Sequence, residues 1–173
     1  MKTSKTSASS FENQGLSLTE AKRYIDAIDF SMIIKKMVEH QGWLQKEAEA
    51  VCRLYKNFLF INKKYRENYS ALPPSEEVDE FWHNHILDTM NYRKDCEMIF
   101  GAYFDHYPYF GIDGRTTMKN LESAFETTQK LHIKEFGEPV YQITSNWSKL
   151  IAFLKKQFKI RPKRIAAEAL NHS

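Results

Sequence analysis

Residues 44–61, LQKEAEAVCRLYKNFLFI, carry the clearest structural signal in the chain, because their apolar side chains recur three and four residues apart. This spacing places them on one broad face of an α-helix, whereas a half-buried strand would show strict alternation. The stripe consists of Leu44, Ala48, Val51, Leu54, Tyr55, Phe58, Leu59 and Ile61. A helix of this length can cross a small bundle, so we predict that it is the main core helix.

Start and stop signals on either side predict further helices. Ser17 and Glu20 form a capping box, and the helix that it begins should run to about Ile28. A second apolar stripe follows and ends near Gly42, a residue type that favours helix C-termini. Later in the chain two prolines stand before Ser75, which together with the acidic residues after it is typical of a new helix start.

The remainder of the chain also has a helical pattern. Two more helices are predicted over about 118–137 and 150–158, after an aromatic loop rich in glycine and proline that begins at Gly101. No segment shows convincing strand alternation, so we predict an all-α fold, a single-domain bundle of about six helices. The expected division is a disordered polar N-terminus over 1–16, a helical domain over 17–160 and a basic, polar tail over 161–173.

The composition is that of a soluble globular protein, with 42% hydrophobic and 27% charged residues among 173. The polar N-terminus lacks the apolar stretch of a signal peptide, and no run of about 20 apolar residues could cross a bilayer. Only Cys52 and Cys96 are present, which favours free thiols in a reducing compartment. We expect a cytoplasmic protein that is not transmembrane, with delivery outside the cell by a signal-peptide-independent route as the open alternative.

Positive charge is concentrated near the C-terminus. From Asn146 to Ser173 there are seven basic residues and one acid, although the whole chain carries a net charge of only +3. Such a run is most often the solvated face of a helix, and it can also bind an anionic surface or a protein partner. Both interpretations of the predicted basic helix stay open.

A second notable stretch is VDEFWHNHILDTMNYRKDC, residues 78–96, which we interpret as one continuous helix enclosed by its neighbours. A helix turns about 100° per residue, so His83 and His85 point roughly 200° apart and cannot bind the same ion. Four-residue spacing instead places Asp79 on the face of His83, and Ile86, Leu87 and Met90 continue that face.

Asp79 and His83 could form a metal site with His106, if the loop that carries His106 folds back against the helix. Two imidazoles and one carboxylate would leave open positions on a divalent ion such as Zn or Fe. The alternative is structural, with the three histidines of this region, His85 included, satisfied in the core and tying helix to loop. A divalent metal is the only cofactor that the residues indicate.

Aromatic and polar neighbours of these residues could wall a small-molecule pocket. The candidates for ligand contact are Trp82, His85, Tyr92 and Tyr109. Cys96 with His85 as its base is excluded as a catalytic pair if the helix is continuous, because eleven residues of helix span about 16 Å. We expect Cys96 to be a small core residue. Catalytic residues are unassigned, because the chain has no glycine-rich phosphate loop, GxSxG elbow or HExxH.

The stretch LPPSEEVDEFWHNHILDTMNYRKDCEMIFGAYFDHYPYFG resembles the glycine-rich domain-containing protein-like family, a family of unknown function. The resemblance covers about Asp29 to Glu138. It rests on Asp79, Trp82, His83, His85, Tyr92, Asp95, Cys96, Phe100, Gly101, His106 and Pro108. It implies that these residues form one recurrent arrangement, and it implies no reaction. The chain lacks the glycine-rich extension for which larger members are named.

The sequence is consistent with two hypotheses about function, one a metal-dependent protein and the other an interaction module. The first is a small helical protein with a His/Asp pocket that binds a metal and acts on a small molecule, with Asp79, His83 and His106 as the metal ligands. The second is a non-catalytic protein-interaction module in which the motif is structural, such as a secreted bacterial effector.

Overall fold

The computed structural model describes residues 15–140, and within that range the chain forms six α-helices and no strand. The helices are α1 (Leu18–Ala27), α2 (Ser31–Gln41), α3 (Gln45–Tyr65), α4 (Glu76–Leu87), α5 (Thr89–Phe100) and α6 (Met118–Phe136). The prediction of an all-α, single-domain fold is confirmed. The predicted 150–158 helix, the basic tail and residues 1–14 of the polar N-terminus lie outside the described residues.

The predicted start and stop signals operate as expected at several helix ends. Ser17 and Glu20 form the capping box of α1, and the Ser75 hydroxyl accepts a hydrogen bond from the Val78 amide at the start of α4. α2 and α5 end at Gly42 and Gly101, whose φ angles of 78° and 71° lie in the left-handed region that favours glycine. At Gly101 this conformation turns the chain out of α5 and into the long loop before α6.

α3 is the centre of the bundle, and α1, α2, α4 and α6 pack around it. Tyr55, Phe58 and Leu59 of α3 are almost fully buried, and Phe81 of α4 packs against Tyr55. Burial of each such side chain stabilises the fold by roughly 1.5–3 kcal/mol. The prediction that this helix crosses the core is confirmed, except that Leu44 is 67% exposed because it is the N-cap, before the first turn.

The prediction of one continuous helix over residues 78–96 is wrong. α4 ends at Leu87, Asp88 adopts a non-helical conformation with φ −83° and ψ 66°, and α5 begins at Thr89. Aspartate has a low helix propensity, and the Asp88 carboxylate accepts a hydrogen bond from the Asn91 side chain at 2.8 Å, although it does not cap the backbone of α5. The break allows α5 to fold back against α4 instead of extending it.

The expectation that neighbours enclose α4 is also wrong for one face. Leu87, on the face of Asp79 and His83, is 70% exposed, and Met90, which the break places on α5, is 85% exposed. The opposite face, with Phe81 and His85, is buried in the core. α4 therefore separates the solvent from the interior of the bundle. None of the helices between residues 15 and 140 has the length and apolar character needed to cross a membrane.

Candidate metal centre

Asp79, His83 and His106 meet at the outer face of α4. Asp79 and His83 lie one helical turn apart, and His106 comes from the loop after α5. Nε2 of His106 lies 2.8 Å from Oδ1 of Asp79, and Nδ1 of His83 lies 3.6 Å from Oδ2 of the same carboxylate. One nitrogen or oxygen from each residue lies within 4.8 Å of the others. The loop does fold back against the helix, as the metal hypothesis requires.

These separations are close to what a metal site needs. Zinc binds nitrogen and oxygen at about 2.0–2.2 Å, so two ligands of a tetrahedral ion lie about 3.3 Å apart. The separations of His106 Nε2 and His83 Nδ1 from the Asp79 carboxylate, 2.8 Å and 3.6 Å, lie on either side of that spacing. The three side chains are 34%, 52% and 16% exposed, respectively, so an ion held here would keep coordination positions that face solvent.

His106 rests on a platform of aromatic rings. Its ring centroid lies 4.6 Å from that of Trp82 and 4.5 Å from that of His83. Trp82 in turn stacks on Phe104 of the loop, with centroids 4.9 Å apart and planes 18° apart. The loop is therefore held on α4 by the packing of Phe104 and His106 against the indole.

Tyr92 joins this platform to α5. Its hydroxyl accepts a hydrogen bond from Trp82 Nε1 at 2.9 Å and donates one to the backbone carbonyl of Phe104. Burial raises the pKa of Tyr92 well above its ordinary value, so the hydroxyl keeps its proton. Trp82 and Tyr92 thus lie beneath the cluster, and their predicted contact with a ligand stays a prediction.

Apart from His85, which lies in the core, Tyr109 is the predicted residue that the structure does not bring to the cluster. Its ring is 58% exposed and packs edge-on against Tyr107 in the loop. Two clefts among the described residues also lie elsewhere. One, of about 330 Å³, is lined by α6 and the loops around Ser70 and Thr116, and the other, of about 290 Å³, lies between α2 and α3. The cluster borders neither, so it is a surface site and not a deep pocket.

His85 belongs to a separate polar network in the core. Its Nδ1 lies 2.9 Å from the hydroxyl of Tyr55, and its Nε2 lies 3.2 Å from Oδ2 of Asp95 on α5. Because Nε2 faces the carboxylate, it is the ring nitrogen that carries the proton, and Nδ1 accepts a hydrogen bond from the Tyr55 hydroxyl, which burial keeps protonated. Asp95 Oδ1 accepts a second hydrogen bond, from Tyr24 at 2.7 Å.

The contact between His85 and Asp95 is electrostatic in character. The 3.2 Å approach is not aligned as a hydrogen bond, and Nε2 makes no hydrogen bond with any part of the chain that the structure describes. Both side chains are almost fully buried, where electrostatic attraction is screened least. This network was missed from the sequence because it depends on the break at Asp88, which brings α5 beside α4.

Neither cysteine has the environment of a reactive thiol. Cys96 and Cys52 are buried thiols, and burial raises the pKa of Cys52 to about 11 and that of Cys96 above its ordinary value. The helical distance that excluded a pair of Cys96 and His85 no longer applies after the break. A protonated, buried thiol is nevertheless a poor nucleophile, and Cys96 is a core residue as expected.

The fold and the cluster define an all-α protein with two imidazoles and one carboxylate on its surface. The chain belongs to the UCP032817-like family, whose model matches residues 20–158. It is 30% identical to glycine-rich domain-containing protein 2 of Arabidopsis thaliana over 110 residues, and 32% identical to glycine-rich domain-containing protein 1 of the same plant over 91 residues. The resemblance found in the sequence is confirmed.

The matched segments are 62% and 51% of this chain but only 13% and 11% of those two relatives. The chain therefore corresponds to a small part of each. No solved structure matches it significantly.

Proposed function

We propose that this protein binds one divalent metal ion, Zn or Fe, through Asp79, His83 and His106, and acts with that ion on a small molecule. The observation that carries the proposal is the convergence of three metal-ligating side chains from a helix and a returning loop, with ligand atoms within 4.8 Å of one another.

The chemistry of the donor set supports the proposal. Two histidines and one carboxylate hold zinc in some hydrolytic enzymes and iron in a class of oxygenases. With three protein ligands, coordination positions remain for water and a substrate. A bound ion would supply a Lewis acid and an activated water molecule. The chain's own residues would hold the ion, and the exposed side of His83 would leave the substrate an approach from solvent.

The placement of His83 favours a metal over a purely structural role. The contact between His106 and Asp79 at 2.8 Å suffices to tie the loop to α4. Beyond its ring contact with His106, His83 adds little to that tie, because its 3.6 Å separation from Asp79 is too long for a hydrogen bond and its side chain is half exposed. Exposed ion pairs contribute about 0–1 kcal/mol. A third ligand is the role that explains its position best.

Elemental analysis of protein purified without an affinity tag tests this. We expect close to one equivalent of metal after dialysis against buffer containing zinc, and its loss in His83→Ala. His40→Ala is the matched control, because His40 is an exposed histidine on α2 beside Glu39. Equal zinc in all three proteins, or none in the wild type, would contradict the proposal.

A second candidate function rests on the basic segment of the sequence. Seven basic residues and one acid between Asn146 and Ser173 suit binding to a protein partner or an anionic surface, and this segment would then serve an interaction module. Deletion after Ser145 should abolish salt-sensitive binding to anionic vesicles.

For the compartment we propose the cytoplasm, since Cys52 and Cys96 are free thiols. Delivery outside the cell is the alternative.

A further inference from the structure

We propose that Tyr92 is a positioning residue of the metal centre, which sets the place of His106 through the loop that carries it. This inference rests on the proposed metal function and adds to it a residue that touches neither the ion nor the substrate.

A continuous series of contacts connects α5 to the cluster. The Tyr92 hydroxyl, which is buried, accepts from the Trp82 indole and donates to the Phe104 carbonyl, two residues before His106. It thereby connects a side chain of α4 to the backbone of the loop. The two residues that Tyr92 connects also pack together, because the Trp82 ring stacks on the Phe104 ring.

Trp82 then supports the imidazole directly. Its ring centroid lies 4.6 Å from that of His106, so the indole packs against this candidate ligand. Rotation of the indole or a shift of the Phe104 carbonyl would move His106 relative to Asp79 and His83. A ligand atom displaced by about 1 Å can no longer form the short bond to zinc that coordination requires. Loss of a residue that orients a metal ligand typically weakens metal binding about 10–100-fold.

Tyr92 cannot itself be a metal ligand here. Its hydroxyl is buried and keeps its proton, and it already accepts one hydrogen bond and donates another. Its ring also packs edge-on against the rings of Tyr103 and His85, which restricts its movement. Its role is therefore the placement of the loop.

The test compares Tyr92→Phe with Tyr65→Phe. Each variant loses one tyrosine hydroxyl, and the Tyr65 hydroxyl donates to Glu135 at 2.6 Å in the α3–α6 interface. Zinc affinity is measured by competition with a chromophoric chelator, in variants that circular dichroism shows to be folded. We expect zinc to bind about 10–100-fold more weakly to Tyr92→Phe and within about twofold of wild type to Tyr65→Phe. Equal affinities in the two variants would overturn the inference.

A metal-free measurement separates this inference from the proposed function. In the apo protein, nuclear Overhauser contacts between the rings of His106 and His83 should weaken in Tyr92→Phe and persist in Tyr65→Phe. A wild type that binds no zinc would refute the metal function, and unchanged ring contacts in Tyr92→Phe would refute the positioning role.

A second variant, Phe104→Leu, is used should Tyr92→Phe fail to fold. It removes the stack on Trp82 but keeps the backbone carbonyl, and it should weaken zinc binding at least about tenfold. Unaltered zinc binding in Phe104→Leu would overturn the inference.

Discussion

His83 and His85 are two residues apart on α4 yet lie in opposite environments, with 52% of the His83 side chain exposed and only 2% of the His85 side chain. His83 faces Asp79 at the surface, whereas His85 faces Asp95 in the core. The same short stretch of sequence thus supplies a candidate ligand and a member of the core network. Substitutions at the two positions should therefore have different consequences.

His85→Ala should destabilise the fold and His83→Ala should not. Without His85, the Asp95 carboxylate loses its buried partner and the Tyr55 hydroxyl loses its acceptor, which should lower the free energy of unfolding by about 3 kcal/mol or more. His83→Ala should change it by less than about 0.5 kcal/mol. Urea unfolding measures both. Comparable stability losses at the two sites would contradict the division of α4 into a surface face and a core face.

Metal should stabilise the wild type through its ligands. At a free zinc concentration roughly 100-fold above the dissociation constant, binding to the folded state alone adds about 2.7 kcal/mol to the free energy of unfolding. Asp79→Ala should remove this gain. Glu76→Ala serves as the control, since Glu76 is an exposed acid in the first turn of the same helix. Thermal unfolding with and without zinc reports the effect, and a gain retained in Asp79→Ala would count against the site.

Gly15→Ala should disturb the contact between the start of the described chain and the end of α5. Gly15 has a φ of 67°, and an added Cβ would lie 2.5 Å from the Gly101 amide nitrogen. Gly114→Ala is the matched control, because its φ is 77° but a Cβ there meets no atom within 4 Å. We expect Gly15→Ala to cost about 1 kcal/mol or more beyond Gly114→Ala. Hydrogen exchange should also show lost protection of the Leu16 amide, which donates to Met98. Equal effects of both substitutions would show that only backbone conformation matters.

Acid should weaken the fold through His132. This side chain is buried between Asn57 and the Glu138 carbonyl, and burial lowers its pKa below the ordinary value of 6.5. The unfolded chain therefore binds the proton more readily, so stability present above about pH 6.5 declines as the pH falls below that value. Glu135, whose pKa is lowered mainly by its hydrogen bond from Lys64, contributes a loss only below its ordinary value of 4.5.

The measurement is the urea midpoint of the wild type and His132→Gln between about pH 7.5 and about pH 5.5. The wild type should lose more stability over this interval than the variant, because glutamine does not titrate. Parallel pH profiles would exclude His132 as the cause.

Much of the fold was predictable because helix signals are local. The capping box at Ser17, the stop at Gly42 and the apolar spacing of α3 each depend on residues within a few positions of one another. The pairing of Asp79 with His83 was predictable for the same reason, since four-residue spacing places side chains on one helical face.

The core network was not predictable from such signals. Tyr24 and Asp95 are 71 residues apart, and their contact exists only because α1 and α5 pack together. Asp88 breaks the helix in a stretch whose apolar pattern continues across it, so the position of His85 beside Asp95 depends on tertiary packing. The exposure of Leu87 and Met90 likewise depends on which face the neighbouring helices leave open.

The most direct measurement is anomalous diffraction from a crystal of the zinc-loaded protein, collected on both sides of the zinc absorption edge. We expect one strong anomalous peak within about 2.0–2.2 Å of a carboxylate oxygen of Asp79 and a ring nitrogen of each of His83 and His106. A zinc peak held by other residues, or no peak in crystals in which these three side chains are ordered, would contradict the metal centre.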